Sequence, residues 1–583
     1  MQKIQIKINN IPMEVAPGIS VLAAARQAGI HIPTLCAHPD LTPWGACGLC
    51  VVKVEGMPKL PRACVTEVSA NASYITHDPE LNKIRRTIVE MILSNHPNDC
   101  LTCGRSGSCE LQTLAANFSI REVPFQSNVP ELPKDESTLS IVLDPRKCIK
   151  CGRCVLVCQE LQDVWALEFI GRGDHTEMMP AGGALLSESP CIKCGQCSAH
   201  CPVGAIYERD DTKKLLDAIL NPELHVAVQI APAVRVAIGE AFGLPPGTIT
   251  TGKIYGALRR LGVNAIFDTN FSADLTIMEE GTEFIERLTQ NGILPLITSC
   301  CPSWVDYMEK YCADMIPHFS TAKSPMMMQG ALTKTYYAEK KGIPREKIFS
   351  AAIMPCTSKK FEIVRDKDMY ASGQQDVDLV LTTRELARLI KQSGIDFLAL
   401  PDDESADSPI GAYTGAGTIF GATGGVMEAA LRTGYFLVTG EEYEKITFEE
   451  VRGMEGIRTA SLSIKGKELR VAIAHGIANV RDLLNEIRTA REEGKEPPYH
   501  FVEVMACRGG CIAGGGQPYN TTDAVRNARI AGMYADDAKS EIRCSHQNPF
   551  IEEVYREFLE KPGSHKAHVL LHTHYHPRPL YTR

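Results

Sequence analysis

The sequence has no surplus of basic residues, no long apolar run and no nucleotide-binding fingerprint, and each absence closes off a class of function. Its 583 residues carry 61 Lys and Arg against 70 Asp and Glu, a formal net charge of -9. With no excess of cations to neutralise phosphates, nucleic acid and anionic membrane are not expected partners. No apolar run approaches the roughly 20 residues that span a bilayer. The first ten residues, Met1-Gln-Lys-Ile-Gln-Ile-Lys-Ile-Asn-Asn10, alternate polar and apolar side chains and lack the apolar core of a secretion signal, so a cytoplasmic location is the expectation. Gly415-Ala-Gly417 followed by Gly421 has the wrong spacing for a dinucleotide loop, and no second nucleotide unit supports it. There is no low-complexity tract and no internal repeat beyond one doubled cysteine run. At this length several domains are expected, on a prior of roughly 100 to 200 residues each.

What the chain does have is cysteine, 22 of them. Without an export signal disulfides are disfavoured, because cytosolic thiols stay reduced; zinc and iron-sulfur clusters remain, and spacing must decide between them. Lys3 to Ile8, an Asn9-Asn10 turn and Met13 to Val15 predict a hairpin, followed by a helix from Ser20 as N-cap through Ala28, the opening of a β-grasp domain. Cys36, Cys47, Cys50 and Cys64 follow, with Gly45 and Gly48 letting the backbone wrap something bulky. This is not the plant ferredoxin spacing, but it suits a 2Fe-2S cluster, with zinc as the alternative. Leu81, Ile84, Ile88 and Ile92 recur at helical spacing up to Ser94, which leads into His96, Cys100, Cys103 and Cys109. In isolation H-x3-C-x2-C-x5-C fits zinc as well as a 4Fe-4S cluster with one imidazole, and the neighbouring motifs favour the cluster. A proline-bearing polar stretch from Val123 to Ser137 reads as a linker. Beyond it, Cys148, Cys151, Cys154, Cys158 and then Cys191, Cys194, Cys197, Cys201-Pro202 repeat C-x2-C-x2-C-x3-C, the bacterial ferredoxin run in which each fourth cysteine serves the other cluster. One cluster is then expected on Cys148, Cys151, Cys154 and Cys201, the other on Cys191, Cys194, Cys197 and Cys158. Gly171 to Ser189 reads as a loop inserted between the halves.

From His225 onward apolar runs alternate with amphipathic helices, as in a doubly wound sheet: a strand at Val226 to Ile230, and helices at Lys253 to Leu261, Ala273 to Leu288 and Thr383 to Lys391. Three strand-like runs end in thiols. Ile293 to Ile297 runs into Thr298-Ser-Cys300-Cys301-Pro, Ile348 to Met354 into Pro355-Cys356, and Phe501 to Ala506 into Cys507, with Cys511 just beyond. Ligands of open α/β sheets sit outside the carboxyl ends of the strands, so one shared metal site is expected there. Glu280, Glu283 and Arg287 share one face of a helix, which by spacing alone is an ordinary charged surface. The acidic loop from Pro401 to Asp407 reads as a solvated excursion. Cys312 and Cys544 match no ligand motif and read as small apolar residues.

Thr298-Ser-Cys-Cys-Pro, Met354-Pro-Cys-Thr-Ser-Lys-Lys-Phe-Glu362 and Glu503-Val-Met-Ala-Cys-Arg-Gly-Gly-Cys-Ile-Ala-Gly-Gly-Gly-Gln-Pro518 carry a specific resemblance. With them the chain resembles the multi-cluster [FeFe] hydrogenases over essentially its whole length. The resemblance implies a multidomain α/β protein: a β-grasp 2Fe-2S domain at 1–78, a small helical His/Cys cluster domain and linker at 79–138, a bacterial 2[4Fe-4S] ferredoxin domain at 139–210, and a two-lobed α/β catalytic domain with mainly parallel sheets at 211–583. It implies reversible conversion of dihydrogen into protons and electrons at an H-cluster, a 4Fe-4S cubane joined to a diiron unit with carbon monoxide, cyanide and azadithiolate. Carried over residue by residue, Cys301, Cys356, Cys507 and Cys511 hold the cubane, and Cys511 bridges to the diiron unit. Lys359 and the backbone around Ala231 and Pro232 meet the cyanides, and Met354 and Met505 pack the diiron unit. Cys300, Glu280, Ser320, Glu283 and Arg287 form a proton relay. Ala233 and Met326 replace a serine and a glutamine of some relatives near the pocket, which bears on catalytic bias. The tail His572-Thr-His-Tyr-His576 matches a C-terminal strand of the family. Expected partners are ferredoxin or a flavin subunit using NAD(P)(H) with a further iron-sulfur subunit, and maturation proteins for the diiron unit. The rival readings are an electron-transfer subunit of a larger dehydrogenase, a hydrogen sensor and an iron-sulfur assembly factor.

Overall fold

The computed structural model describes every residue except Met1, Gln2, Ser127, Asn128, Pro130, Tyr443, Glu444, Lys445, Lys465 and Arg583. At the N-terminus, Ile4–Ile8 and Ile11–Val15 pair antiparallel with Ile8 opposite Ile11. The two linking residues, Asn9 and Asn10, both have positive φ, the geometry a two-residue hairpin loop requires and asparagine tolerates. Ser73–Ile75 adds parallel to Ile4–Ile8 and Lys53–Val54 completes a four-stranded sheet. Helix Val21–Gln27, capped by the Ser20 hydroxyl, buries Val21, Leu22, Ala24 and Ala25 against it.

Helix Pro79–Ser94 starts at an Asp78 cap and ends just before Asn95 and His96. The face it buries is not the purely apolar one that the isoleucine spacing predicts: Leu81 and Val89 are buried, but so is Arg85, while Ile84, Ile88 and Ile92 are half-buried. The reason is long-range. Arg85 donates to the carbonyls of Leu49 (3.0 Å) and Val51 (2.8 Å), backbone groups of the loop around Cys50 that no strand satisfies. Arg85→Met would leave both carbonyls buried and unpaired, at about 1–3 kcal/mol each. The expected result is early loss, on heating, of the visible absorbance of a cluster carried by this loop; an unchanged melting curve would show that this helix does not brace the loop.

The two cysteine runs share one backbone. Lys150 and Lys193 both take positive φ, and so do Gly152 and Gly195, two positions later in each run. The repeat Cys-Ile-Lys-Cys-Gly thus turns twice in the same way, between Ile141–Leu143 and the antiparallel Ile206–Glu208. Trp44, from the first cysteine loop, lies on the first of these turns. Its indole donates to the Cys151 carbonyl at 2.8 Å, and a Cβ on Gly152 would stand 2.1 Å from the ring, so only glycine fits. The Gly171 to Ser189 insertion is not all loop, since Glu177–Met179 pairs with Glu168–Ile170. The Val123 to Ser137 linker has its Ser127, Asn128 and Pro130 outside the described residues, and it ends early: Asp135 bridges to Leu143 and accepts from the amide of Leu186 at 2.7 Å.

Downstream stand two four-stranded sheets. One is all parallel, ordered Ala265–Asp268, His225–Ile230, Ile348–Met354, Leu379–Thr382. The other runs Leu296–Ile297, Phe501–Met505, Lys467–His475 and an antiparallel Ile457–Ile464. Helices Thr251–Leu261, Thr269–Thr289 and Thr383–Gln392 fall where the periodicity predicts. The predicted Ile293 to Ile297 strand shrinks to Leu296–Ile297, because Pro295 has no N–H for a ladder and Ile293 is exposed. The C-terminal strand is also corrected: His565–Leu571 is a helix, and His572 makes a single bridge to Ala322. The acidic loop is exposed as expected except at its end, where Asp407 accepts from the amide of Ile266 (2.7 Å) and pairs with Arg259 (2.9 Å), covering an otherwise open sheet edge. Cys312 and Cys544 are buried, and among the described residues no helix is long and apolar enough to cross a membrane.

Candidate functional site

The thiol-bearing strand ends of both sheets converge on one cavity. Its wall includes Cys300, Cys301, Cys356, Cys507 and Cys511, together with Ala231, Pro232, Ala233, Met326, Met354, Lys359 and Met505. The wall is mainly apolar, with Thr269 and Ser303 among its few other polar members, and burial pushes the thiols of Cys301, Cys356, Cys507 and Cys511 up, that of Cys356 to about 12. Four thiols that stay neutral alone, gathered in a dry cavity, are a donor set that ionises on binding a cationic metal centre, and soft thiolates suit iron-sulfur chemistry. Lys359 brings a positive charge to this wall. Burial pulls its pKa down, but Glu362 at 2.7 Å outweighs that and holds it up, and its Nζ also donates to the Cys300 carbonyl at 3.3 Å. The amide of Ala231 is spent on the Ile353 carbonyl at 3.0 Å and Pro232 has none, so these two shape the wall.

A line of polar groups leaves the cavity through helix Thr269–Thr289. Burial raises the Cys300 thiol well above its ordinary range, and the neighbouring Glu280 carboxylate adds to this. Glu280 is 3% exposed, and burial pushes its pKa up to about 8; the Ser320 hydroxyl opposes the shift and the charge of Glu283 reinforces it. Ser320 in turn donates to Glu283 at 3.0 Å, and Glu283 accepts from Arg287 at 2.6 Å. Arg287 is half-buried and also donates to the carbonyls of Phe319 and Pro317, so the line ends near the surface. By spacing alone this helix face reads as surface; in the fold it points at Cys300.

The remaining cysteines gather in four groups. The sulfurs of Cys36 and Cys47 are 3.5 Å apart and those of Cys50 and Cys64 3.3 Å. His96 is buried; its Nδ1 lies 2.9 Å from the Pro97 carbonyl, and its Nε2, which has no partner among the described residues, belongs to a ring lining a cavity shared with Cys100 and Cys109. A ring tied at Nδ1 and open at Nε2 is a metal-ligand arrangement. Cys158, Cys191, Cys194 and Cys197 line one small cavity, while the Cys201 thiol bears on Cys148, Cys151 and Cys154.

Two contacts had no signal in the sequence. Gln196, inside the second ferredoxin run, donates to Cys507 Sγ (3.2 Å) and to the Ala513 carbonyl (3.0 Å). Beside it, a Cβ on Gly515 would stand 2.3 Å from the Cys194 carbonyl, so glycine lets the two thiol-bearing loops touch. Glu503, buried and raised to about 7 by burial, accepts from the amides of Gly424 and Met427 and so holds helix Gly425–Thr439 against the site.

Comparison with known proteins matches residues 224–515 to the C-terminal domain of the iron-only hydrogenase large subunit, and 523–578 to the iron hydrogenase small subunit. Residues 1–77 match a 2Fe-2S iron-sulfur cluster binding domain, 85–124 the NADH-ubiquinone oxidoreductase-G iron-sulfur binding region, and 147–205 a 4Fe-4S dicluster domain. The chain is 46% identical to the NADP-reducing hydrogenase subunit HndD of Solidesulfovibrio fructosivorans, over 99% of this chain and 100% of that one. It is 38% identical to iron hydrogenase 1 of Clostridium pasteurianum, over 98% and 99%. Among solved structures, a variant of apo [FeFe]-hydrogenase HydA1 from Chlamydomonas reinhardtii is 42% identical, with a TM-score of 0.56 over 64% of this chain and 100% of that one. The chain belongs to the iron-only, or [FeFe], hydrogenase family.

Proposed function

We propose that Cys301, Cys356, Cys507 and Cys511 hold the cubane of an H-cluster, that Cys511 also reaches its diiron unit, and that Cys300 exchanges protons with the cofactor on behalf of the protein. The observation that carries this is the single buried cavity where four thiols, Lys359 and Cys300 meet, with hydrogen-bonded polar groups running from Glu280 to Arg287. When bound, the diiron unit supplies the centre at which dihydrogen is split heterolytically, and the iron-sulfur clusters supply electron transfer. The chain's own part is to bind, orient and insulate. Lys359, fixed by Glu362, presents a cationic donor to anionic ligands, while Met354 and Met505 keep that corner dry. Glu280 is protonated over most of the neutral range, so it takes or gives a proton at its carboxyl beside Cys300, and Ser320 and Glu283 pass it toward Arg287.

The accessory sets are Cys36, Cys47, Cys50 and Cys64 for a 2Fe-2S cluster, His96, Cys100, Cys103 and Cys109 for a 4Fe-4S cluster with one imidazole, and Cys148, Cys151, Cys154, Cys201 and Cys158, Cys191, Cys194, Cys197 for two more. The domain limits that go with them are 1–78, 79–138, 139–210 and 211–583, the last holding both α/β lobes. The contact of Gln196 and Cys194 with the Cys507 to Gly515 loop supports the last of these sets as the one that exchanges electrons with the H-cluster. HndD is named as a subunit that reduces NADP. By that likeness the electron partner of this chain is a flavin-bearing NAD(P)(H) subunit, with ferredoxin as the other candidate; co-purification of a flavoprotein decides it.

The reading is tested by infrared spectroscopy of the protein produced with its maturation proteins. Bands of metal-bound carbon monoxide and cyanide are expected, with hydrogen turnover. Neither bands nor turnover in iron-replete protein would sink it.

A further inference from the structure

Arg105 is a fully buried guanidinium without a counter-charge. It is 1% exposed and joins no ion pair among the described residues. Its Nη2 donates to the Cys201 carbonyl at 3.2 Å, its face lies 3.4 Å from the centre of the Tyr519 ring, and its Nε and Nη1 find no acceptor among the described residues. A guanidinium is permanently charged, and one buried with no opposite charge and with two of its nitrogens unpaired is costly enough to need a reason. The anion within reach is a thiolate set. Cys103 and Arg105 pack together on Gly204, where a Cβ would stand 2.7 Å from Cys103 Sγ and 3.5 Å from Arg105 Cγ. Lys147, the other buried cation on this side, pairs with Asp99 at 3.2 Å and also bears on the Cys103 thiol, so its charge is shared between a carboxylate and the site, whereas Arg105 has no carboxylate partner among the described residues.

We infer that Arg105 is a buried counter-charge of the cluster held by His96, Cys100, Cys103 and Cys109, and that its free N–H groups and charge raise the reduction potential of that cluster. The inference rests on the proposed assignment of those four residues as ligands. Reduction adds one electron to an already anionic site, so a fixed cation and hydrogen bonds toward sulfur stabilise the reduced state more than the oxidised one. No bond is made or broken. Because the same guanidinium holds the Cys201 carbonyl, it also stands between this cluster and its ferredoxin-type neighbour, where it lowers the repulsion between two reduced centres. Arg105 acts by positioning charge; it does not touch the reacting atoms.

The test is an EPR-monitored redox titration of the full chain carrying its iron-sulfur clusters, with His96→Cys identifying the signal of this cluster. Arg105→Gln is expected to make reduction at least tenfold less favourable, a downward shift of about 59 mV for one electron. Arg105→Lys keeps the charge and loses the fork, so its shift is downward and smaller. Tyr519→Leu removes the stacking surface and keeps the charge, so its shift is smaller than that of Arg105→Gln. An unmoved potential in Arg105→Gln, or an equal shift in Tyr519→Leu, overturns the inference in favour of a packing role. If Arg105→Gln does not retain the cluster, Arg105→Lys decides, and an unmoved or raised potential overturns it. A chain in which no signal responds to His96→Cys instead fails the ligand assignment.

Discussion

Cys300→Ala is expected to keep the full iron content and the infrared bands of the cofactor while losing hydrogen turnover by about 10²- to 10⁴-fold, the range over which a positioned proton donor contributes. The side chain is small and already packed against Ala273, Ile277, Phe420 and Met505, so alanine fits its space with little repacking. Its carbonyl, which Lys359 contacts, is unaffected by the substitution. What disappears is a protonatable group on the cavity wall beside Glu280. Burial keeps the thiol neutral, so it holds a proton ready to give, and alanine holds none. Cys300→Asp, which restores a protonatable group of similar reach, is expected to recover part of the rate. Full turnover in Cys300→Ala would remove this residue from the relay, and loss of the cofactor bands would show that its role is structural.

Glu280→Gln is expected to lower turnover by at least about 10²-fold while leaving the cavity intact, because an amide of the same shape cannot pass a proton. It also has a stability signature, which reports the protonation state of the buried carboxyl. Burial, reinforced by Glu283 and opposed by Ser320, raises the folded pKa to about 8, above the ordinary value of 4.5. The folded chain therefore binds this proton more tightly than the unfolded chain does. The stability this contributes is complete below about pH 4.5 and is lost as pH rises through about 8. Glutamine mimics the neutral form at every pH. Glu280→Gln should thus match the parent in acid and become more stable than it on the alkaline side, by an amount of the order of a few kcal/mol. Urea unfolding at pH 5 and pH 9 measures this, and parallel curves for the two proteins would mean that Glu280 is ionised in the fold.

The cysteine runs were legible in sequence where they are local, as from Cys148 to Cys158 and from Cys191 to Cys201. A cluster bound by thiols two or three residues apart needs a loop of set length with left-handed turns, and Gly152 and Gly195 stand where those turns are. Strand ends were legible for a similar reason, as at Ile348–Met354, where a continuous apolar run stops at Pro355-Cys356. Legibility failed where a side chain answers a distant one. Arg85 occupies the buried face of a helix because two carbonyls some 35 residues earlier need a donor, a choice no period of 3.6 encodes. Pro295 shortened a strand that hydropathy extended, since hydropathy does not count N–H groups.

By itself, then, the sequence determined the chemistry available to this hydrogenase: which thiols sit together in short loops, which strands deliver them, and that Cys300 and Cys301 share one strand end. The tertiary structure alone decided how those pieces are wired. It turned the Glu280 face of a helix inward to Cys300, brought Gln196 and Gly195 of a ferredoxin loop against Cys507 and Gly515, and left Arg105 buried beside Cys103. The physical reason is the range of the forces concerned. Backbone geometry and periodicity act over a few residues and are written in spacing, whereas the burial of a charge or the approach of two loops depends on groups hundreds of residues apart that meet only when the chain is packed.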